Sequence, residues 1–86
     1  MKELKMFVIP SCPHCVNAHS WMNELRAADE RYKEIELTVT DETKEPEYAA
    51  QFDYYYVPTF YIDGVKVHEG VASLDIMRAI FDSVLQ

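Results

Sequence analysis

The sequence Cys12-Pro13-His14-Cys15 lies two residues after an apolar run at residues 4–9, and a stretch of helical periodicity begins with it. The run ends at a proline and predicts a short buried strand, whereas Pro13 suits a first helical turn, where a missing N–H costs nothing. Cysteines three positions apart on such a turn lie on one face, close enough to form a disulfide. Closing so short a loop removes little chain entropy, so the bond would add little stability. We therefore predict a redox-active dithiol rather than a structural disulfide.

The middle of the chain predicts a helix, a strand and a second helix. The first helix continues from the motif to about Asp29 or Glu30 and carries apolar residues at helical spacing. Apolar and polar side chains alternate over residues 34–39, which predicts a strand. Pro46 opens a short helix that reaches about Phe52. The apolar residues of the first helix are Val16, Ala18, Trp21, Met22, Leu25 and Ala28.

The last third predicts a hairpin and a final helix. Residues 59–62 and 65–68 predict strands, and Asp63-Gly64 between them is typical of a two-residue turn. Ser73 predicts the N-cap of the last helix. The resulting order is β-α-β-α-β-β-α, in which a crossover makes the first strands parallel and the hairpin adds an antiparallel edge. The expected fold is α/β, a four-stranded mixed sheet flanked by three helices.

Composition limits the size of the protein and its partners. A chain of 86 residues suffices for one core, so we predict a single domain over residues 1–86. Only two cysteines are present, which excludes a disulfide-dense secreted scaffold. The net charge of −7 argues against nucleic-acid binding. No apolar stretch is long enough for a signal peptide or a membrane span, so we expect a cytoplasmic monomer that does not bind membranes.

With a dithiol opening the first helix and Val57-Pro58 before the third strand, this order of elements resembles the thioredoxin fold over the whole chain. Its glutaredoxin-like branch is the most similar. The motif and the residues up to Ala18 resemble the glutaredoxin sequence Cys-Pro-Tyr-Cys-x-x-Ala. Residues 57–64, Val-Pro-Thr-Phe-Tyr-Ile-Asp-Gly, are similar to that family's Val-Pro-x-x-Phe-Ile-Asp-Gly.

The resemblance implies a substrate site beside the dithiol. It implies a cis peptide bond between Val57 and Pro58, and a pairing of the Val57 backbone with an incoming peptide or glutathione. Pro58 would also keep other ligands away from the thiols. Four features differ from glutaredoxins: His14 replaces Tyr, residues 9–11 lack the usual Lys, Tyr56 replaces a Thr, and Glu69-Gly70 replaces a Gly-Gly pair. The further candidate substrate-binding residues are Tyr56, Thr59, Gly70 and Ser73.

The motif predicts thiol–disulfide exchange. Cys12 is the expected nucleophile, because unpaired N–H groups at a helix start favour a thiolate. His14 is expected to add a ring N–H or a positive charge near Cys12, and Cys15 is the expected resolving thiol. The predicted enzyme exchanges electrons with disulfides of proteins or of glutathione, and it depends on a reductase or reductant that the sequence does not identify. No bound cofactor is expected, and glutathione would act as a co-substrate.

Two alternatives stay open from the residues. In the first, the protein is a carrier module whose cysteines hold a metal or an iron–sulfur cluster. His19 lies one turn after Cys15, which gives three neighbouring ligands, one fewer than a closed zinc site takes. Pro13 and the second cysteine favour the enzyme.

The second alternative concerns the aromatic residues 54–56. Their rings either line a substrate groove or pack in the core beneath the second helix.

Overall fold

One mixed sheet organises the chain, and the computed structural model describes all of residues 1–86. Strand β1 (Leu4–Val8) lies inside it, parallel to β2 (Leu37–Asp41) and antiparallel to β3 (Thr59–Ile62). Strand β4 (Val65–Glu69) pairs antiparallel with β3, so the order across the sheet is β2-β1-β3-β4. These pairings confirm the predicted four-stranded mixed sheet. Because the chain leaves β1 at its carboxyl end, residues 9–12 carry the cysteine motif to that end of the sheet.

Four helices flank the sheet, so the prediction of three is wrong. The additional helix is a single turn after Asp29, whose carboxylate accepts a hydrogen bond from the backbone N–H of Arg31 at 2.9 Å. Tyr32 in this turn is buried, with its ring centroid 5.3 Å from that of Phe81. A capped turn with one buried ring is too short to produce a periodic pattern. None of the helices is long and apolar enough to span a bilayer. The helices are α1 (Pro13–Ala28), α2 (Glu30–Lys33), α3 (Pro46–Ala49) and α4 (Leu74–Leu85).

Strand β2 begins later than the alternation over residues 34–39 predicts. The guanidinium of Arg26 donates to the backbone carbonyls of Tyr32 and Ile35, at 3.1 and 2.9 Å. These bonds hold the chain before Leu37 against α1, so its carbonyls are not available to the sheet. The inward position also differs from the prediction, because Val39 is exposed and Thr40 is buried.

Each face of the sheet carries its own apolar cluster. The larger cluster lies under α1 and α4 and includes Phe60 together with both cysteines. The smaller cluster, on the opposite face, contains Phe7, Tyr61 and Ala49 of α3. The cysteine motif is therefore built onto the larger core.

Helix α1 buries a narrower stripe than its sequence predicts. Val16 and Ala28 are exposed, and Val16 keeps 65% of its surface accessible. Successive helical residues are turned by about 100°, so a stripe that contains Cys15 turns Val16 outward. The buried residues of the helix are Cys15, Ala18, Met22 and Leu25.

The predicted hairpin turn between β3 and β4 is confirmed. Asp63 and Gly64 both have positive φ angles, 47° and 83°, as the favoured two-residue turn requires. We expect Gly64→Ala to lower the free energy of unfolding by about 1–2 kcal/mol, because a side chain disfavours the left-handed backbone. An added Cβ would meet no atom within 4 Å, so steric overlap contributes nothing. Urea denaturation measures this change, and a midpoint equal to that of the wild type would contradict it.

Candidate active site

Cys12 caps the first turn of α1 with its sulfur. Its backbone is extended, with φ −90° and ψ 107°, and Pro13 begins the helix. The backbone N–H of Cys15 donates to Cys12 Sγ at 3.1 Å, the position in which an N-cap oxygen ordinarily accepts. Ser11, with a positive φ of 60°, turns the chain from β1 into this cap. Negative charge on the Cys12 sulfur would be stabilised by this N–H and by the helix dipole.

Cys15 lies in a different environment from Cys12. Both side chains are free thiols, with 7% of Cys12 and 4% of Cys15 accessible. Burial is the main cause that raises the pKa of Cys15 to about 12, and the hydrogen bond to Cys12 is the second. Cys15 is therefore protonated near neutral pH. The pair combines one sulfur at the amide end of a helix with one buried, protonated sulfur.

The segment before β3 lies against the dithiol. The bond between Val57 and Pro58 is cis, which confirms the implied conformation. Val57 is half-buried and packs against the cluster that contains both cysteines, and Pro58 is fully buried. The backbone N–H and C=O of Val57 form no hydrogen bond within the chain. A free backbone donor and acceptor thus lie beside the dithiol.

The other predicted substrate-binding residues divide into two groups. Tyr56 is exposed and Gly70 half-buried, and both lie near Pro58. The backbone N–H of Gly70 donates to the Pro58 carbonyl at 2.8 Å, and a Cβ on Gly70 would lie 3.8 Å from that of Tyr56. The hydroxyls of Thr59 and Ser73 have internal partners. Thr59 donates to the His68 carbonyl at 3.0 Å, and Ser73 caps α4 by accepting from the N–H of Ile76 at 3.1 Å. The predicted cap is confirmed, and the substrate contacts of all four residues stay predictions.

The histidines do not complete a metal centre. His14 is exposed on the first turn of α1, and His19 is half-buried one turn after Cys15. No group of three His, Cys, Asp or Glu side chains is placed to share one metal ion. His68 is half-buried, and its Nε2 lies 2.9 Å from the Val71 carbonyl oxygen.

The three consecutive tyrosines have different environments. Tyr54 stacks on Phe7 in the smaller cluster beneath α3, at a centroid distance of 5.0 Å. Tyr55 and Tyr56 are 87% and 70% exposed. One ring therefore packs in the core, which is one of the two positions that the sequence analysis allowed for these rings, and the other two lie at the surface.

Sequence reasoning assigns no role to Glu69, although it contacts the segment before Val57. Its carboxylate accepts hydrogen bonds from the backbone N–H groups of Tyr55 and Tyr56, the latter at 2.9 Å. It also forms an ion pair with Lys66 at 2.7 Å. The pKa of Glu69 is lowered to about 2, mainly by the hydrogen bond with Lys66 and then by the two backbone N–H groups. The partners are 13 and 14 residues away, so spacing alone does not reveal the contact.

The dithiol lies outside the surface cavities of the structure. The structure has four surface cavities, and none is lined by a cysteine or by the Val57–Pro58 segment. The largest, about 380 Å³, lies between the N-terminus and residues 34–38.

Comparisons with known proteins agree with this geometry. The sequence matches the family described as "Thioredoxin domain" over residues 2–82. The structure is similar to the thioredoxin of Malassezia sympodialis, with a TM-score of 0.75 and 15% identity over 99% of this chain and 76% of that one. It is also similar to Fasciola hepatica thioredoxin, with a TM-score of 0.69 and 21% identity over 96% of this chain and 80% of that one.

A third similar structure is a protein disulfide oxidoreductase from Aeropyrum pernix. Its TM-score is 0.68 at 19% identity, over 98% of this chain and 38% of that longer one. No curated protein sequence matches the chain. At these identities the similar structures show the thioredoxin fold, and the family match covers nearly the whole sequence. The chain therefore belongs to the thioredoxin domain family.

Proposed function

We propose that this protein is a thiol–disulfide oxidoreductase that reduces protein disulfides with Cys12 and Cys15. The observation that carries the proposal is the hydrogen bond from the N–H of Cys15 to Cys12 Sγ, beside the free backbone of Val57. A sulfur held in this way can bear negative charge as a nucleophile. The family match and the thioredoxin-like structures support the same class of activity.

In the first step, the Cys12 thiolate attacks one sulfur of a substrate disulfide. A bond forms between Cys12 Sγ and that substrate sulfur, and the substrate disulfide breaks. The other substrate sulfur leaves as a thiolate and takes up a proton. In the second step, Cys15 gives up its proton and attacks Cys12 Sγ. The second substrate thiol is released, and the protein is left with a Cys12–Cys15 disulfide. The substrate gains two electrons and two protons. The dithiol loses two electrons and two protons, one proton from Cys15 during the second step and one released to solvent when Cys12 ionises.

The burial of Cys15 fits its role as the resolving thiol. Its raised pKa keeps the Cys15 thiol protonated near neutral pH, so Cys15 does not compete with Cys12 for the first attack. Once Cys12 is bonded to substrate its sulfur cannot ionise, so the interactions with Cys12 that raise the pKa of Cys15 weaken. Cys15 therefore becomes easier to deprotonate at the stage at which it must attack.

The surface around the dithiol favours a protein substrate. Four exposed apolar side chains lie within three residues, along the chain, of a cysteine, of Val57 or of Gly70, and we refer to them as the apolar rim. The free N–H and C=O of Val57 could pair with an extended chain, as the resemblance implies. The apolar rim consists of Ile9, Val16, Tyr56 and Val71.

To test the proposal, the reduced protein is mixed with a disulfide-linked peptide, and the masses of both are measured over time. We expect the peptide to be reduced and the protein to lose two hydrogen atoms by mass spectrometry. Iodoacetamide should modify Cys12 before Cys15 in the reduced protein. A control in which both cysteines are replaced by serine should leave the peptide oxidised. An intact peptide and a fully reduced wild-type protein would overturn the proposal.

The electron donor is tested separately. Recycling of the oxidised protein is measured with glutathione and with a thioredoxin reductase system. Reduction by glutathione would support the glutaredoxin-like subtype, and reduction by the reductase system alone would contradict that subtype. Either result leaves the exchange chemistry of the dithiol in place.

A further inference from the structure

Two neighbouring residues at the end of β4 anchor the chain on both sides of Val57. Before Val57, the carboxylate of Glu69 accepts from the backbone N–H groups of Tyr55 and Tyr56. After Val57, the N–H of Gly70 donates to the Pro58 carbonyl at 2.8 Å.

Lys66 strengthens this attachment from the same strand. Its ammonium group lies 2.7 Å from Glu69 Oε1 and 3.2 Å from the backbone carbonyl of Asp53, to which it donates. The Glu69 side chain is 19% accessible, so it is partly shielded from water. Residues 53–56 are thereby tied to β4 by side chains, because no strand pairing reaches them.

We propose that Glu69 is a positioning residue for substrate binding, because its carboxylate fixes the chain immediately before Val57. The inference rests on the proposed function, since it concerns how Val57 meets a substrate. Glu69 touches neither the sulfurs nor the reacting disulfide. It acts by holding the free N–H and C=O of Val57 in one orientation.

The expected size of the effect follows from chain entropy. A segment released by loss of Glu69 must be ordered again whenever substrate binds. If the backbone of a single residue must be ordered when substrate binds, the lost conformational entropy weakens binding by about tenfold. The bonds of Gly70 on the other side remain, so the loss should be confined to the segment before Val57.

The test compares Glu69→Ala with Glu69→Gln in the full chain, using the disulfide-linked peptide. We expect Glu69→Ala to raise KM about tenfold with kcat nearly unchanged. Glu69→Gln keeps an oxygen acceptor for the two N–H groups and should restore most of the lost affinity. Relative to a small disulfide without a peptide backbone, the preference for the peptide should fall by the same factor in Glu69→Ala.

Glu3→Ala is the matched control, because Glu3 also pairs with a lysine, Lys5, but lies at the far end of β1. It should bind the peptide as the wild type does. Hydrogen exchange at the N–H groups of Tyr55 and Tyr56 should accelerate in Glu69→Ala and not in the control.

Unchanged peptide KM in Glu69→Ala would overturn this inference alone. So would an equal loss with the small disulfide, which would indicate a general structural role. A wild type that reduces neither disulfide would overturn the proposed function and this inference with it.

Discussion

A Cys15→Ser variant mixed with a disulfide-linked peptide should accumulate a covalent adduct through Cys12 and turn over no further. Cys12 keeps its cap position in this variant, because the hydrogen bond to its sulfur comes from the backbone N–H of residue 15 and not from the side chain. The first exchange step therefore proceeds. The second step fails, because a serine hydroxyl cannot resolve the mixed disulfide at neutral pH.

Nonreducing electrophoresis and mass spectrometry measure the adduct. Cys12→Ser is the matched control: it removes the attacking sulfur, so it should form no adduct and show only background reduction of the peptide. An adduct in Cys12→Ser, or wild-type turnover in Cys15→Ser, would contradict the assigned roles of the two cysteines.

Phe7→Ala should lower the free energy of unfolding by about 3–5 kcal/mol, the range for removing a fully buried phenylalanine. Phe7 is wholly buried in β1 and is the centre of the smaller cluster. Its ring centroid lies 4.8 Å from that of Phe52, 5.0 Å from Tyr54 and 5.7 Å from Tyr61. Small domains have a total stability of about 5–15 kcal/mol, so the loss is a large part of it.

Urea denaturation of Phe7→Ala and Tyr55→Ala measures this difference. Tyr55 is 87% exposed, and its replacement should change stability by only about 0.5 kcal/mol or less. The two variants lose an aromatic ring of similar size, so burial is what differs between them. Equal losses would show that the cluster around Phe7 does not stabilise the fold.

Elements with strong local signals could be predicted from the sequence. The two strands around Asp63-Gly64, the cap at Ser73 and the start of α1 at Pro13 agree with the structure because each depends on residues next to it. The cis bond between Val57 and Pro58, and its place beside the cysteines, were implied by the resemblance to the thioredoxin fold and not by local signals.

Features that depend on distant partners could not be predicted. The start of β2 depends on Arg26, which occupies carbonyls six to nine residues away. Helix α2 is one turn and depends on a ring buried against α4. The contacts of Glu69 depend on how the loop before Val57 folds back onto β4. In each case a side chain binds a backbone that no periodic pattern places beside it.

The position of β4 has a further consequence. It is an edge strand, so the backbone N–H and C=O groups on its outer side pair with no neighbouring strand. An exposed edge strand can pair with a strand of another molecule, and charged side chains on the edge oppose this pairing. Lys66 and Glu69 put a cation and an anion on this edge. The ion pair that holds the loop before Val57 therefore also puts charges where they oppose the addition of a further strand to the sheet.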